Sequence, residues 1–413
     1  VKTPVNSIEL PDIYLPWRTV LNELEIENLD IRQKGQDYHF EQLALSATAL
    51  FSRMKIDEFT LHAGDSHLQL EGAIRLADDY PHEILLSWRS ALPTKEIIKG
   101  QGRLTGNLIN TRLNQNLSGA LSSSMDIELI NPLQQLYWKA NIEVSQFDTA
   151  RLDARLPLAS GMLKLEGRGD FNTASISGEL NGQNSQLGKL DALFRLKRLA
   201  NNSIHIEQLK LSIPATGSQL ETSGDWKPGG DGGEVKLALN WKKMRWPMQD
   251  TPWFDSASGK GTFEGTLQGY RFELSSDSPW ADLIPSSWQA KAEGNLHSLD
   301  IHSLRVSNKQ GVASASGKLD WTTEFNWQAE VETSAIDPSL IFPQWPGRLH
   351  SRLSTQGRLQ NDQWFASADI SQLNGTLRGY PLKLSSNLDW KGDHLDIQQL
   401  QLQSGDSHLE LTG

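Results

Sequence analysis

Cysteine is absent from all 413 residues, which excludes disulfides, thiolate metal sites and cysteine nucleophiles and leaves no redox signal to read. No run approaches the roughly 18–20 apolar residues that a membrane-spanning helix needs. The opening Val1-Lys2-Thr3-Pro4-Val5 does not read as a signal peptide. The last residues, Leu409 to Gly413, stop partway through a pattern described below, so both ends read as cuts through something longer. Basic excess is missing as well. The 39 Lys and Arg stand against 50 Asp and Glu, a net charge of −11 spread along the chain. An acidic chain without a basic stripe suits neither nucleic-acid phosphates nor flat adsorption on an anionic lipid surface.

Catalytic signatures are lacking too. The chain has no His-Glu-x-x-His, no P-loop, no Gly-x-Gly-x-x-Gly between a strand and a helix and no Gly-x-Ser-x-Gly. The ten His are scattered, and His62, His67, His205, His302, His394 and His408 occupy polar strand positions, where a solvated face outweighs a ligand role. The Ser-Ala-Ser-Gly-Lys strings at Ser256 and Ser314 belong to a repeat and read as structure rather than nucleophiles, and Arg168-Gly169-Asp170 reads as a turn. These absences argue against an enzyme and against a metal or cofactor.

What the sequence does contain is alternation. Leu24-Glu-Ile-Glu, Ser66-His-Leu-Gln-Leu-Glu, Ser203-Ile-His-Ile-Glu, Glu234-Val-Lys-Leu-Ala-Leu and Trp327-Gln-Ala-Glu-Val-Glu all repeat apolar and polar residues at period 2. That period sets one face of a strand on apolar surroundings and the other in water. Turn-forming clusters such as Pro228-Gly-Gly-Asp-Gly-Gly separate the runs. The expected class is all-β and mostly antiparallel, with a short helix possible only over Ala44 to Met54. At about 12 residues per strand and turn, the length allows roughly 34 strands.

The strands form a repeat. One element runs Ile56, Phe59, Leu61, then Leu68, Leu70 and Gly72. It recurs as Ile206, Leu209, Leu211 with Leu220 and Gly224. A third copy is Ile301, Leu304, Val306 with Gly317, and a fourth is Ile397, Leu400, Leu402 with Leu409, Leu411 and Gly413. In each copy a two-residue step, such as Glu207-Gln208, His302-Ser303 or Gln398-Gln399, breaks the alternation, and a β-bulge there would return the next apolar residues to the same face. A second element lies between copies: Trp138-x-Ala-x-Ile142 leading to Asp148, and Trp327-x-Ala-x-Val331 leading to Asp337. The approximate units are 1–106, 107–224, 225–317 and 318–413, expected to form one continuous groove. Units of this kind bury their apolar face only against neighbours. A long ladder with almost no helix to cover that face would curl into an open hydrophobic trough suited to acyl chains, with the residues just named as its lining. A closed core is the competing reading.

The fourteen Trp outnumber twelve Phe and six Tyr. They read as residues closing the ends of the sheet, or as amphipathic contacts at a groove rim.

Several strings carry a resemblance. Leu15-Pro16 with Glu23-Leu24, Tyr80-Pro81 before Ile84, Lys242 to Pro247, Gly311 to Trp321 and, most distinctively, Phe342-Pro343-x-Trp345-Pro346-Gly347-x-Leu349 resemble the TamB members of the AsmA-like family, over a part of their N-terminal half. The resemblance implies a taco-shaped β-groove that crosses the periplasm of a Gram-negative bacterium and moves phospholipid between inner and outer membranes. It also implies an N-terminal inner-membrane anchor and a C-terminal domain docking an outer-membrane TamA-like assembly protein, both expected to lie outside this chain. The alternative within the family is a scaffold or chaperone for outer-membrane and autotransporter β-barrel proteins, which would offer strand edges to nascent strands. A carbohydrate-binding solenoid would need clustered exposed aromatics instead.

Overall fold

The computed structural model describes residues 10–33, 36–156, 158–248, 254–277, 286–309, 311–340, 342–360 and 363–412. The opening pentapeptide and the last repeat glycine, Gly413, lie outside them. The chain divides into two compact units, Val1–Pro214 and Ala215–Gly413.

The described residues of the first unit form thirteen strands, from Leu15–Gln33 to Ile204–Ile213. Each pairs antiparallel with its neighbours in sequence, without crossovers. The second unit repeats the plan with thirteen more, from Ser218–Lys227 to Ser407–Leu411. Helix is confined to one four-residue turn, Thr149–Leu152, and two 3-10 turns among the described residues. The class expected from alternation is therefore correct, and the count of about 34 strands is not. Strands here reach 19 residues, longer than the average assumed, so fewer fill the same length.

The short helix that residues 44 to 54 left possible does not form. Those residues belong to the strands Gln36–Phe51 and Arg53–Ala63. Leu43, Leu45, Ala47 and Ala49 share one face at period 2, opposite Ile26, Leu24, Leu21 and Thr19. Ladder pairing on both sides overrides the helix preference of the alanines and leucines.

The two-residue steps are bulges. Where the strand Ser298–Asn308 meets the one before it, Ser303 opposes Lys291 and Ile301 opposes Ala292, so His302 is the extra residue. Asp57, Glu207 and Gln398 are extra in the same way. The three later ones reach back to the preceding strand: Glu207 pairs with Lys197, His302 lies 3.5 Å from Glu293, and Gln398 donates to Asp389. Because each bulge absorbs one residue, the apolar positions on its two sides stay on one face.

Candidate functional site: one apolar face in each unit

Register pairs carry a face from strand to strand. In the first unit, one row runs Ile56–Gly72–Ile84–Leu104–Leu113–Ile127–Ala140–Gly167–Ile176–Leu196–Ile206. Parallel rows hold Phe59, Leu70 and Leu209, then Leu61, Leu68 and Leu211. Every site residue expected in this unit lies on that one face. The second unit has the same construction. Ile301, Gly317, Ala329, Thr355, Ala368, Leu388 and Ile397 form one row, while Leu304, Leu400 and Leu411, then Leu220, Val306, Leu402 and Leu409, occupy the rows beside it. With a fourth row at one edge, through Ile204 in the first unit and Trp226 in the second, the rows, about 3.4 Å per residue along a strand and about 4.8 Å between strands, make a band roughly 20 Å wide and roughly 58 Å long when followed along each ladder.

The band is not sealed. Among the described residues only twelve hydrophobic side chains are buried, half of them alanines. Most of the expected site residues are half-buried, and Leu409 and Leu411 are 45% and 47% exposed. The chain exposes 26704 Å², whereas two separate compact halves of this mass would expose about 19,000 Å². A closed core would give the opposite balance.

The other face is wet and charged. Arg103–Glu83, Lys164–Glu143, Lys291–Glu273 and Arg352–Glu332 meet at 2.7–3.2 Å across strands. Each pair is exposed, so each adds little stability, but together they keep that face in water. A shallow depression of about 750 Å³ on it is lined by Gln101, Arg103, Asn114, Asp126, Glu143 and Lys164 among others. Among the described residues there is no cluster of three or more His, Asp or Glu that could hold a metal ion. The serines of both Ser-Ala-Ser-Gly-Lys strings lie inside strands. Ser256 is fully buried and accepts from the Trp241 indole at 2.8 Å.

Alternation alone did not reveal how the tryptophans and glycines work together. Trp88 faces Gly100, Trp241 faces Gly259 and Trp327 faces Gly357, all on the apolar face. A Cβ at any of these glycines would overlap the indole lying over it. The missing side chain gives each ring a seat on the neighbouring strand, an arrangement that fixes register as well as covering backbone. In the second unit Trp226, Tyr270, Trp327 and Trp390 share the row at one edge of the band. Phe325, Trp327 and Trp364 pack edge and face just beyond, with ring centroids 5.6–6.4 Å apart. Trp241 and Trp288 are buried, while Trp364 and Trp390 are about half exposed.

Sequence reading left out face residues that lie between copies of the first element, among them Leu165, Phe194, Leu353 and Leu384. Their signal was the same period 2, carried on past the Trp that begins each run.

The model of the family described as TamB, N-terminal domain, matches residues 2–231 and again residues 195–413. The translocation and assembly module subunit TamB of Haemophilus influenzae is 24% identical to this chain over 151 residues. That alignment covers 36% of the chain and 12% of the relative. No solved structure matches.

Proposed function

The chain belongs to the TamB family, through its N-terminal domain, and from that premise we propose that it serves outer-membrane assembly and transport by carrying phospholipid on its apolar face. Its place is the periplasm of a Gram-negative envelope. The whole protein is anchored in the inner membrane and works with an outer-membrane TamA-like assembly protein. Binding is by burial of acyl chains, without covalent chemistry or cofactor.

One observation carries this reading: in each unit most of the Leu, Ile and Val positions of the strands share one half-exposed face, and the cross-strand ion pairs lie on the other. Each CH₂ taken from water onto such a face contributes about 0.8 kcal/mol, so a diacyl lipid has ample reason to stay. It is also free to slide, because one strand of the band resembles the next.

The test is a charge on the band floor. Leu304→Arg and Leu400→Arg should abolish retention of phospholipid, measured by mass spectrometry of lipid extracted with the protein, and leave strand content intact. On an open face the long Arg side chain turns its head to water. In a sealed core it would be a buried unpaired charge and unfold the unit. Variants that unfold, or that fold and keep their lipid, would defeat the proposal. A folded wild-type chain that holds no lipid but captures unfolded barrel strands would favour the scaffold instead.

A further inference from the structure

The apolar band of the first unit is interrupted near its middle by an amide. Gln115 sits on the strand Asn110–Gly119, opposite Gly102 on one side and Met125 on the other, and Leu86 follows Gly102 in the same row. No Lys, Arg, Asp or Glu of these four strands shares that face. The Gln115 Nε2 atom is buried with no hydrogen-bond partner. On the next row, Trp88 lies over Gly100. A Cβ built at Gly100 would overlap both Trp88 Nε1 and Gln115 Nε2, so the two donors stand over one point of the sheet. Neither has an acceptor among the described residues. Turning the amide over would let its oxygen take the indole proton and would put its NH₂ where the oxygen now stands.

An unpartnered amide in an apolar row is costly where Leu or Met would fit at no penalty. Some polar residues on these faces find acceptors within the sheet: Thr355 donates to Ser367 O at 2.9 Å, and Ser386 to Gln399 O at 2.9 Å, whereas the Thr222 hydroxyl in the second unit has none. The Gln115 amide has none either. Building on the lipid reading above, the geometry points to Gln115 and Trp88 as a polar station for the acyl-ester carbonyl of a glycerolipid. Both donors are neutral, which suits a neutral carbonyl oxygen, whereas a phosphate would call for a cation. The hydrocarbon on either side of the ester lies on Leu86, Leu68, Met125 and Leu117.

The test compares wild type with Gln115→Leu, Gln115→Met and Trp88→Phe, the last keeping a ring over Gly100 without its N–H. Each protein is incubated with vesicles of diester phosphatidylethanolamine, with vesicles of its diether analogue, and with hexadecane, and bound probe is quantified. Loss of one hydrogen bond should weaken diester retention roughly 3–10-fold in all three variants, with diether and hexadecane retention unchanged or improved. Should Gln115→Leu fail to fold, as judged by strand signal, the Met and Phe variants decide. Equal changes for all three probes, or none, would overturn the station while leaving the lipid face standing. A diether lipid that weakens like the diester would move the acceptor to the phosphate and overturn the carbonyl. Wild type that holds none of the probes would bring down the station and the lipid face together.

Discussion

His62 and His67 face each other across a hairpin, with Nε2 of one 3.0 Å from Nδ1 of the other. Burial, then the positive potential of His62 and Arg89, holds the His67 ring below the ordinary imidazole range. The sign follows from linkage. As pH falls through about 6.5 the unfolded chain takes up a proton that folded His67 resists, so stability is lost on acidification below neutrality. Thermal unfolding between pH 7.5 and 5 should therefore fall more steeply in wild type than in His67→Gln. Equal slopes would count against the pair. Glycine gives a second expectation at this scale. At Gly259 a new Cβ would overlap the Trp241 ring and stand 2.6 Å from Ser275 O, so Gly259→Val should destabilise by about 1–3 kcal/mol in chemical denaturation. Such glycines were hardly legible in the sequence. Period 2 marks a Gly as an apolar-face position, but only the pairing shows that an indole needs the space. Gln115 was invisible for the opposite reason, since a polar residue within a strand says nothing about which face it occupies when its neighbours, Asn114 and Asn116, are polar too.

Within a strand, the bulge makes two deletions differ that look alike on paper. Removing His302 takes out the extra residue, leaves Ile301 and Leu304 at regular spacing, and keeps both on the apolar face. Removing Arg305 pushes Val306 or Leu304 onto the charged side. The first deletion should lower the melting temperature only slightly and the second should unfold much of the sheet, as far-UV circular dichroism would show. Comparable damage from both would mean that the bulge is needed for twist rather than for phase. The bulges were legible because the two-residue step recurs in each copy of the repeat. The strand over residues 44 to 54 was not, because Ala-rich alternation is equally at home on a helix until a partner strand is in place.

At the level of each unit, every strand's partners are its neighbours in sequence, and in the second unit the row of Trp226, Tyr270, Trp327 and Trp390 lies along one edge of the band. Length can therefore change in whole hairpins and in nothing smaller. Removing the two strands Ser298–Asn308 and Gly311–Asp320, with the residues between them, lets the strand Phe325–Ile336 follow Ser287–Gly294 in its original direction, so that Trp327 comes opposite Gly294 where Leu299 stood. Removing Gly311–Asp320 alone reverses the direction of all later strands. The apolar face survives, but Trp327 and Trp390 move to the opposite margin and lose alignment with Trp226 and Tyr270. The two-strand deletion should retain strand content and lipid in proportion to its length, whereas the one-strand deletion should lose more of both. A chain built in this way behaves as a tape with a right and a left margin: it can be cut to the width of the space it serves, provided the cuts come in pairs.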